Sequence, residues 1–204
     1  MKLRYSPTSP YVRKVSVTAI ELGLADKIER IATDPWSADT DLRKSNPMSK
    51  IPCLTTDAGD PIYDSPVICE YLDSLHTGKK LFPVERDARF KALTLAAAGD
   101  GMTDAGILLL VETVRRPKEL KWDWWADRQT ETMKTCMAVA DAAADSMGTD
   151  GDITIAEIAI GCGLGWVDLR MPDFGWRKDC PALADWFEKI SDRPSFATTM
   201  PKAA

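Results

Sequence analysis

Three short runs carry side chains able to hold or activate a small anionic ligand. In Thr8-Ser9-Pro10-Tyr11, two hydroxyls precede a proline suited to the first position of a helix. A helix start has unpartnered N–H groups and positive potential, so a hydroxyl there can donate to a bound anion. Ser9 or Thr8 can equally be only the cap of that helix. In Lys50-Ile51-Pro52-Cys53, a proline leads from a loop into a strand. Such a bond can be cis, leaving the backbone of Ile51 open to a ligand, although only about 5% of Xaa-Pro bonds are cis. In Asp64-Ser65-Pro66, Ser65 is a natural N-cap and Pro66 a natural first helical residue. That helix start can take a carboxylate through the N–H and hydroxyl of Ser65, while Asp64 accepts from an ammonium group. A plain cap is the other reading.

Other chemistries find few residues to run on. His76 is the only histidine, which excludes a histidine-based metal site, and it reads as a helix-end residue. No metal is expected. The five cysteines, Cys53, Cys69, Cys136, Cys162 and Cys180, are odd in number and widely spaced, with no CxxC. They read as reduced thiols of a cytoplasmic protein. With 26 basic against 31 acidic side chains the net charge is −5, which argues against a nucleic-acid partner. The apolar run at residues 107–111 is too short to cross a bilayer, and the N-terminus has no secretory pattern, so no membrane partner is expected.

The elements that must position these runs follow from periodicity. Residues 2–5 read as a buried strand. A helix opens at Pro10, carries Val12, Val15, Ala19 and Leu22 on one face, and ends at Gly23. Residues 27–31 read as a second strand and residues 39–44 as a short helix. Residues 53–56 and 61–63 flank the hairpin punctuation Asp57-Ala58-Gly59-Asp60. A helix then opens at Ser65-Pro66 with Ile68, Tyr71, Leu72 and Leu75 on one face. Past the linker-like Leu81-Phe82-Pro83-Val84 only helical patterns follow. One begins at Phe90, Leu93 and Ala97 and reaches Val114 across Gly99, Gly101 and Gly106. The others are marked by Met133, Cys136 and Ala140, by Ile155, Ala159, Cys162 and Trp166, and by Leu183, Trp186, Phe187 and Ile190. This predicts an α/β domain over residues 1–78, a linker over 79–86 and an all-helical domain over 87–204.

All three candidate runs fall at junctions of the α/β domain, and there the chain resembles the thioredoxin-like N-terminal domain of the cytosolic glutathione S-transferases. Residues 6–13 resemble the family's catalytic strand-to-helix segment. Asn46-Pro47-Met48-Ser49-Lys50-Ile51-Pro52-Cys53-Leu54 resembles its loop with the cis-proline, and Asp64-Ser65-Pro66-Val67-Ile68-Cys69-Glu70-Tyr71-Leu72 its acidic-Ser glutathione motif. Thr154-Ile155-Ala156-Glu157, with Ile153 and Ile158 placed as a hydrophobic staple, is a capping box similar to that of the family's helical domain. Residues 181–187 and Arg193-Pro194-Ser195-Phe196 resemble its last core helix and ending. Ser49 replaces the usual glycine, and Asp64 the commoner glutamate.

The resemblance implies a transferase that takes glutathione as co-substrate and joins it to a small, apolar electrophile. Ser9 is the implied donor to the thiolate, with Thr8, Ser6 and Tyr5 next in line. Lys50, Ile51, Pro52, Asp64 and Ser65 are the implied glutathione-binding residues. Tyr11, Met102, Leu108, Arg115 and Trp166 are the candidates for the electrophile pocket. Arg13 either tunes the site or joins the domains, and Trp122, Trp124 and Trp125 either pack or form a lid. The resemblance also implies a homodimer, in which Asp100 or Asp104 of the partner subunit reaches the γ-glutamyl ammonium. A non-catalytic interaction module and a glutathione-dependent peroxidase or thiol transferase are the alternatives. Thiol-transferase chemistry usually needs cysteine at the helix start, where this chain has Ser9.

Overall fold

The computed structural model describes residues 1–201; the last three residues of the expected helical domain lie outside the described residues. The N-terminal part folds as β1 (Lys2–Tyr5), α1 (Pro10–Glu21), β2 (Glu29–Ala32), β3 (Cys53–Thr55), β4 (Pro61–Ile62) and α2 (Ser65–Ser74). The strands form one sheet in the order β2-β1-β3-β4, with β2 parallel to β1 and the other pairs antiparallel. Helices follow: α3 (Arg86–Leu110), α4 (Asp123–Ala143), α5 (Ile155–Arg170), α6 (Trp176–Asp179), α7 (Pro181–Ser191) and α8 (Pro194–Ala197). The architecture is thus a small mixed α/β domain joined to a helical one.

Local chemistry accounts for most boundaries. Pro10 opens α1 behind Ser9, and the helix ends where the N–H groups of Gly23 and Leu24 turn back to the carbonyls of Ile20 and Ala19. The expected strand at 27–31 starts later, because residues Ala25–Lys27 form a 3₁₀ turn. Of the expected helix at 39–44 only the turn Leu42–Lys44 forms. In β1 only Leu3 is buried, so it is not the fully buried strand expected. Asp64, without a side-chain cap bond, occupies the N-cap of α2, and Ser65 lies inside the helix.

In the helical domain α3 is the central element, packed against α4 and α5. By length and composition the helix at 86–115 could cross a membrane, but here it lies against both neighbouring helices and α1. Gly99 explains how the pattern tolerates glycine: a Cβ there would stand 2.8 Å from the backbone nitrogen of Ile160 on α5. The start of α5 is a capping box. Thr154 Oγ1 accepts from the N–H of Ala156 at 3.2 Å, and the N–H of Thr154 donates to Glu157 at 2.8 Å. Ile153 and Ile158 are both buried beside it, as a staple requires.

Helix α1 joins the domains. Arg13 is buried and reaches the carbonyls of Phe196 at 3.2 Å and Gly161 at 3.5 Å; Gly165 leaves the space its guanidinium occupies. Of its two expected roles, Arg13 therefore takes the structural one. Lys14, also buried, pairs with Asp100 of α3 at 2.7 and 2.8 Å. Glu21 receives Arg193 at 2.6 and 2.7 Å and the hydroxyl of Ser195.

Candidate active site

Sheet topology brings the three runs to one end. The register pairs Arg4 with Cys53, so the chain leaving β1 toward Ser9 passes the chain entering β3 from Ile51 and Pro52. The β3–β4 register pairs Leu54 with Ile62, which carries Tyr63, Asp64 and Ser65 out at the same end. Ser9 caps α1: its Oγ accepts from the N–H of Val12 at 3.3 Å. A hydroxyl accepts through its lone pairs and donates through its proton, so capping leaves the Ser9 proton available to a ligand. The two readings of Ser9 are compatible.

The bond between Ile51 and Pro52 is cis, as is that between Tyr63 and Asp64. Neither the N–H nor the carbonyl of Ile51 bonds to another described residue. The preceding loop is held by Asn46, which is fully buried. Its Nδ2 donates to the Lys50 carbonyl at 2.7 Å and its Oδ1 accepts from the N–H of Met48 at 3.0 Å. Ser49 adopts φ 54°, the left-handed region that favours the glycine it replaces. Lys50 and Asp64 are exposed, and Ser65 is buried with neither its N–H nor its hydroxyl bonded to a described residue. Asn46 carries no signal of this role in the sequence; its place ahead of Pro47 suggests only a turn.

The opposite wall comes from α3. The Tyr11 hydroxyl donates to Asp104 across the domain boundary. Burial holds that phenol protonated, reinforced by the bond to Asp104 and by the charges of Asp104, Asp100 and Asp64. Burial also raises the pKa of Asp100, against the pull of Lys14. Both acids expected to reach a partner's ligand are thus engaged inside their own chain. Leu108 is exposed, and Arg115 stacks on Trp36 with its guanidinium carbon 4.2 Å from the ring centroid. Met102 and Trp166 correct the expected pocket: they are 2% and 4% exposed and pack in the helical core beside Gly163 and Gly106. Trp122 stacks on Trp124 at 4.9 Å and on Trp125 at 6.4 Å, and Trp122 and Trp124 are exposed, so these two do not fill the core.

The cysteines lie elsewhere. All five are free; burial pushes the Cys69 thiol up to about 12 and the Cys162 thiol to about 11. His76 follows α2 and lies 3.4 Å from Asp73. A hollow of ≈ 760 Å³ lies at the far end of the sheet around Lys2, Asp26 and Gly59, where the N-terminal ammonium pairs with Asp57 at 2.6 Å. A second of ≈ 340 Å³ lies between α4 and α6. Neither is lined by Ser9, Ile51 or Ser65.

A thioredoxin-like domain whose ligand-facing end opens onto a helical domain defines the glutathione-transferase class of fold. The sequence matches the family description "Glutathione S-transferase, N-terminal domain" over residues 8–75 and "Glutathione S-transferase, C-terminal domain" over residues 123–189. It is 32% identical over 205 residues, covering 100% of both chains, to the uncharacterized GST-like protein YibF of Escherichia coli K12. A glutathione transferase family member from Pseudomonas fluorescens Pf-5, solved with bound glutathione, shares 40% identity and a TM-score of 0.93 over 99% of each chain. A Pf-5 family member solved with S-(propanoic acid)-glutathione is also 40% identical, with a TM-score of 0.88 over 100% of each chain. The chain belongs to the glutathione S-transferase family.

Proposed function

We propose that the protein is an enzyme that binds glutathione at residues 1–78, holds its sulfur as thiolate through Ser9, and adds it to a small electrophile. One observation carries this reading: Ser9 keeps a free hydroxyl proton at the sheet end where Ile51 and Ser65 have unpaired polar groups. A free thiol has a pKa near 8.5, so only a few per cent is thiolate at neutral pH. A donated hydrogen bond beside the positive end of α1 favours the thiolate, and each tenfold rise in the thiolate-to-thiol ratio corresponds to about 1.4 kcal/mol. Ser9 positions and stabilises the nucleophile rather than attacking, because no base adjoins it. Ile51 offers its backbone to the cysteinyl unit, Ser65 and Asp64 take the γ-glutamyl end, and exposed Lys50 balances a carboxylate. The electrophile lies between Tyr11 of α1 and, beyond residues 79–86, Leu108 and Arg115 of the helical domain. A relative 40% identical with bound S-(propanoic acid)-glutathione supports a site open to a substituent on sulfur. No cysteine at the helix start supports conjugation over disulfide exchange.

Calorimetric titration with glutathione tests the reading. Asp64→Ala and Ser65→Ala should each weaken binding by about 1–3 kcal/mol, because each leaves a polar partner unpaired. Unchanged affinity in both variants would reduce this helix start to a cap. A second copy of the chain is the expected partner in a cytoplasmic setting. Val67 on α2 and Phe90 on α3 are 51% and 61% exposed, on elements joined by the Glu70–Arg89 pair, and a dimer would cover them. Sedimentation should give twice 22.5 kDa at micromolar concentration; the monomer mass would refute the dimer.

A further inference from the structure

The end of α3 overhangs the sheet end that carries Ser9. Lys14 meets Asp100 and Tyr11 meets Asp104, so α3 runs antiparallel to α1 and continues past its start. Leu108 lies one turn beyond Asp104, and Arg115 lies roughly 16 Å beyond Asp104 at ~1.5 Å per residue. Residues Val111–Arg115 form a π-helical turn, which changes the direction of the side chains after it. Arg115 there meets Trp36 of the loop after β2, whose start is tied to β1 by the Thr33 N–H and the Tyr5 carbonyl at 2.9 Å. Tyr11 with Asp104 therefore closes the inner side of the cleft, and Arg115 with Trp36 the outer side. The exposed apolar Leu108 lies between them.

Charge divides along the same line. At the inner end Asp104 accepts from Tyr11, and the Lys14 ammonium is already matched by Asp100. At the outer end, Arg116 is neutralised by Glu112 at 2.8 Å, whereas Arg115 has no ion pair among the described residues. A guanidinium stacked on an indole keeps its in-plane N–H donors free, in the fork that matches a carboxylate. We propose that Arg115, held on Trp36, is an anion receptor, and that the electrophiles conjugated here are amphipathic, with an apolar body against Leu108 and a carboxylate at the outer end. The proposal rests on the transferase reading of the cleft. No cation is left free at the inner end among these pairs, and Arg115 holds such a substrate's charged end at the outer side, so its reactive carbon is turned toward Ser9.

The probes are 4-chloro-3,5-dinitrobenzoate and 1-chloro-2,6-dinitrobenzene, which share the ring and leaving group and differ in the carboxylate. With either, the glutathione thiolate attacks the chlorine-bearing carbon. A C–S bond forms, the C–Cl bond breaks, chloride leaves with the electron pair, and the thiol proton passes to solvent. After normalising to the uncatalysed rates, the protein should favour the benzoate in kcat/KM by about 10-fold, the scale of one charge-assisted hydrogen bond. Arg115→Met should erase that preference through a higher KM for the benzoate, and Arg115→Lys should restore part of it. Equal kcat/KM for the two probes, or the same preference with and without Arg115, would overturn the proposal. Failure of the transferase reading looks different: glutathione does not bind and neither probe reacts. Titration with the two S-aryl glutathione conjugates then decides the matter without turnover. Tighter binding of the carboxylate conjugate, lost in Arg115→Met, supports the receptor; equal binding or none overturns it.

Discussion

At the scale of single residues, the site depends on polar groups that the fold leaves with spare valence. Ser9 spends its lone pair on the Val12 N–H and keeps its proton. Ser9→Ala should therefore lower glutathione conjugation by about 10-fold, the effect of a thiol pKa higher by about one, while costing about 1 kcal/mol as a lost cap. Ser9→Cys should gain a mixed disulfide, visible by mass spectrometry as a glutathione adduct on the peptide carrying residue 9, because a cysteine at a helix N-terminus is activated. Full activity in Ser9→Ala would move the thiolate contact to Thr8, Ser6 or Tyr5. Asn46 acts one step further back. It is fully buried and holds both Met48 and Lys50, so Asn46→Ala leaves buried backbone groups unpaired. That substitution should cost about 2–4 kcal/mol in stability and weaken glutathione binding as the Ile51 backbone shifts. A calorimetric affinity equal to the parent's would show that the loop holds without it.

At the scale of elements, helix ends do the positioning. The capping box at Thr154 and Glu157 fixes the start of α5, whose N–H at Ile155 also donates to the Leu81 carbonyl at 3.0 Å. Thr154→Ala should lower stability by about 1 kcal/mol and leave the turnover of folded protein unchanged. Lost turnover at an unchanged melting temperature would place this helix start nearer the chemistry than the fold allows. Capping signals of this kind are legible in sequence because cap, staple and proline act within a few residues. The start of α2 shows their resolution: Ser65-Pro66 marks the helix, but the N-cap position falls on Asp64. The π-helical turn at the end of α3 has no comparable local signature.

At the scale of the whole molecule, α1 holds the two domains together. Burial alone would raise the pKa of Glu21, but hydrogen bonds from Arg193 and Ser195 outweigh it and hold it below its ordinary 4.5. A depressed carboxylate contributes stability that is present above its unfolded pKa and lost as pH falls through the folded value. Glu21→Gln should therefore destabilise neutral solutions by about 1–3 kcal/mol, with Arg193 left facing an uncharged partner. The gap in melting temperature between parent and variant should narrow as pH falls below about 4.5. A constant gap from pH 7 to pH 3 would contradict the assignment.

The sequence by itself determined the class of each domain, the helix starts at Pro10 and Thr154, and the runs around Ser9, Ile51 and Ser65. These rest on period, capping and turn chemistry, which act within about one helical turn of chain. Only the tertiary structure decided the burial of the five expected pocket residues, with Met102 and Trp166 in the helical core, Tyr11 half-buried, and Leu108 and Arg115 exposed. Met102 lies beside Gly163 of α5 and Trp166 beside Gly106 of α3, where the close approach of the two helices, seen also at Gly99, keeps both inside the core. It also decided the pairings Lys14–Asp100, Tyr11–Asp104 and Trp36–Arg115. Those contacts join residues 79 or more positions apart, and nothing in the intervening chain encodes their distance. They exist because packing sets α1 against α3 and the loop after β2 against the end of α3, which leaves each of these side chains a partner within reach.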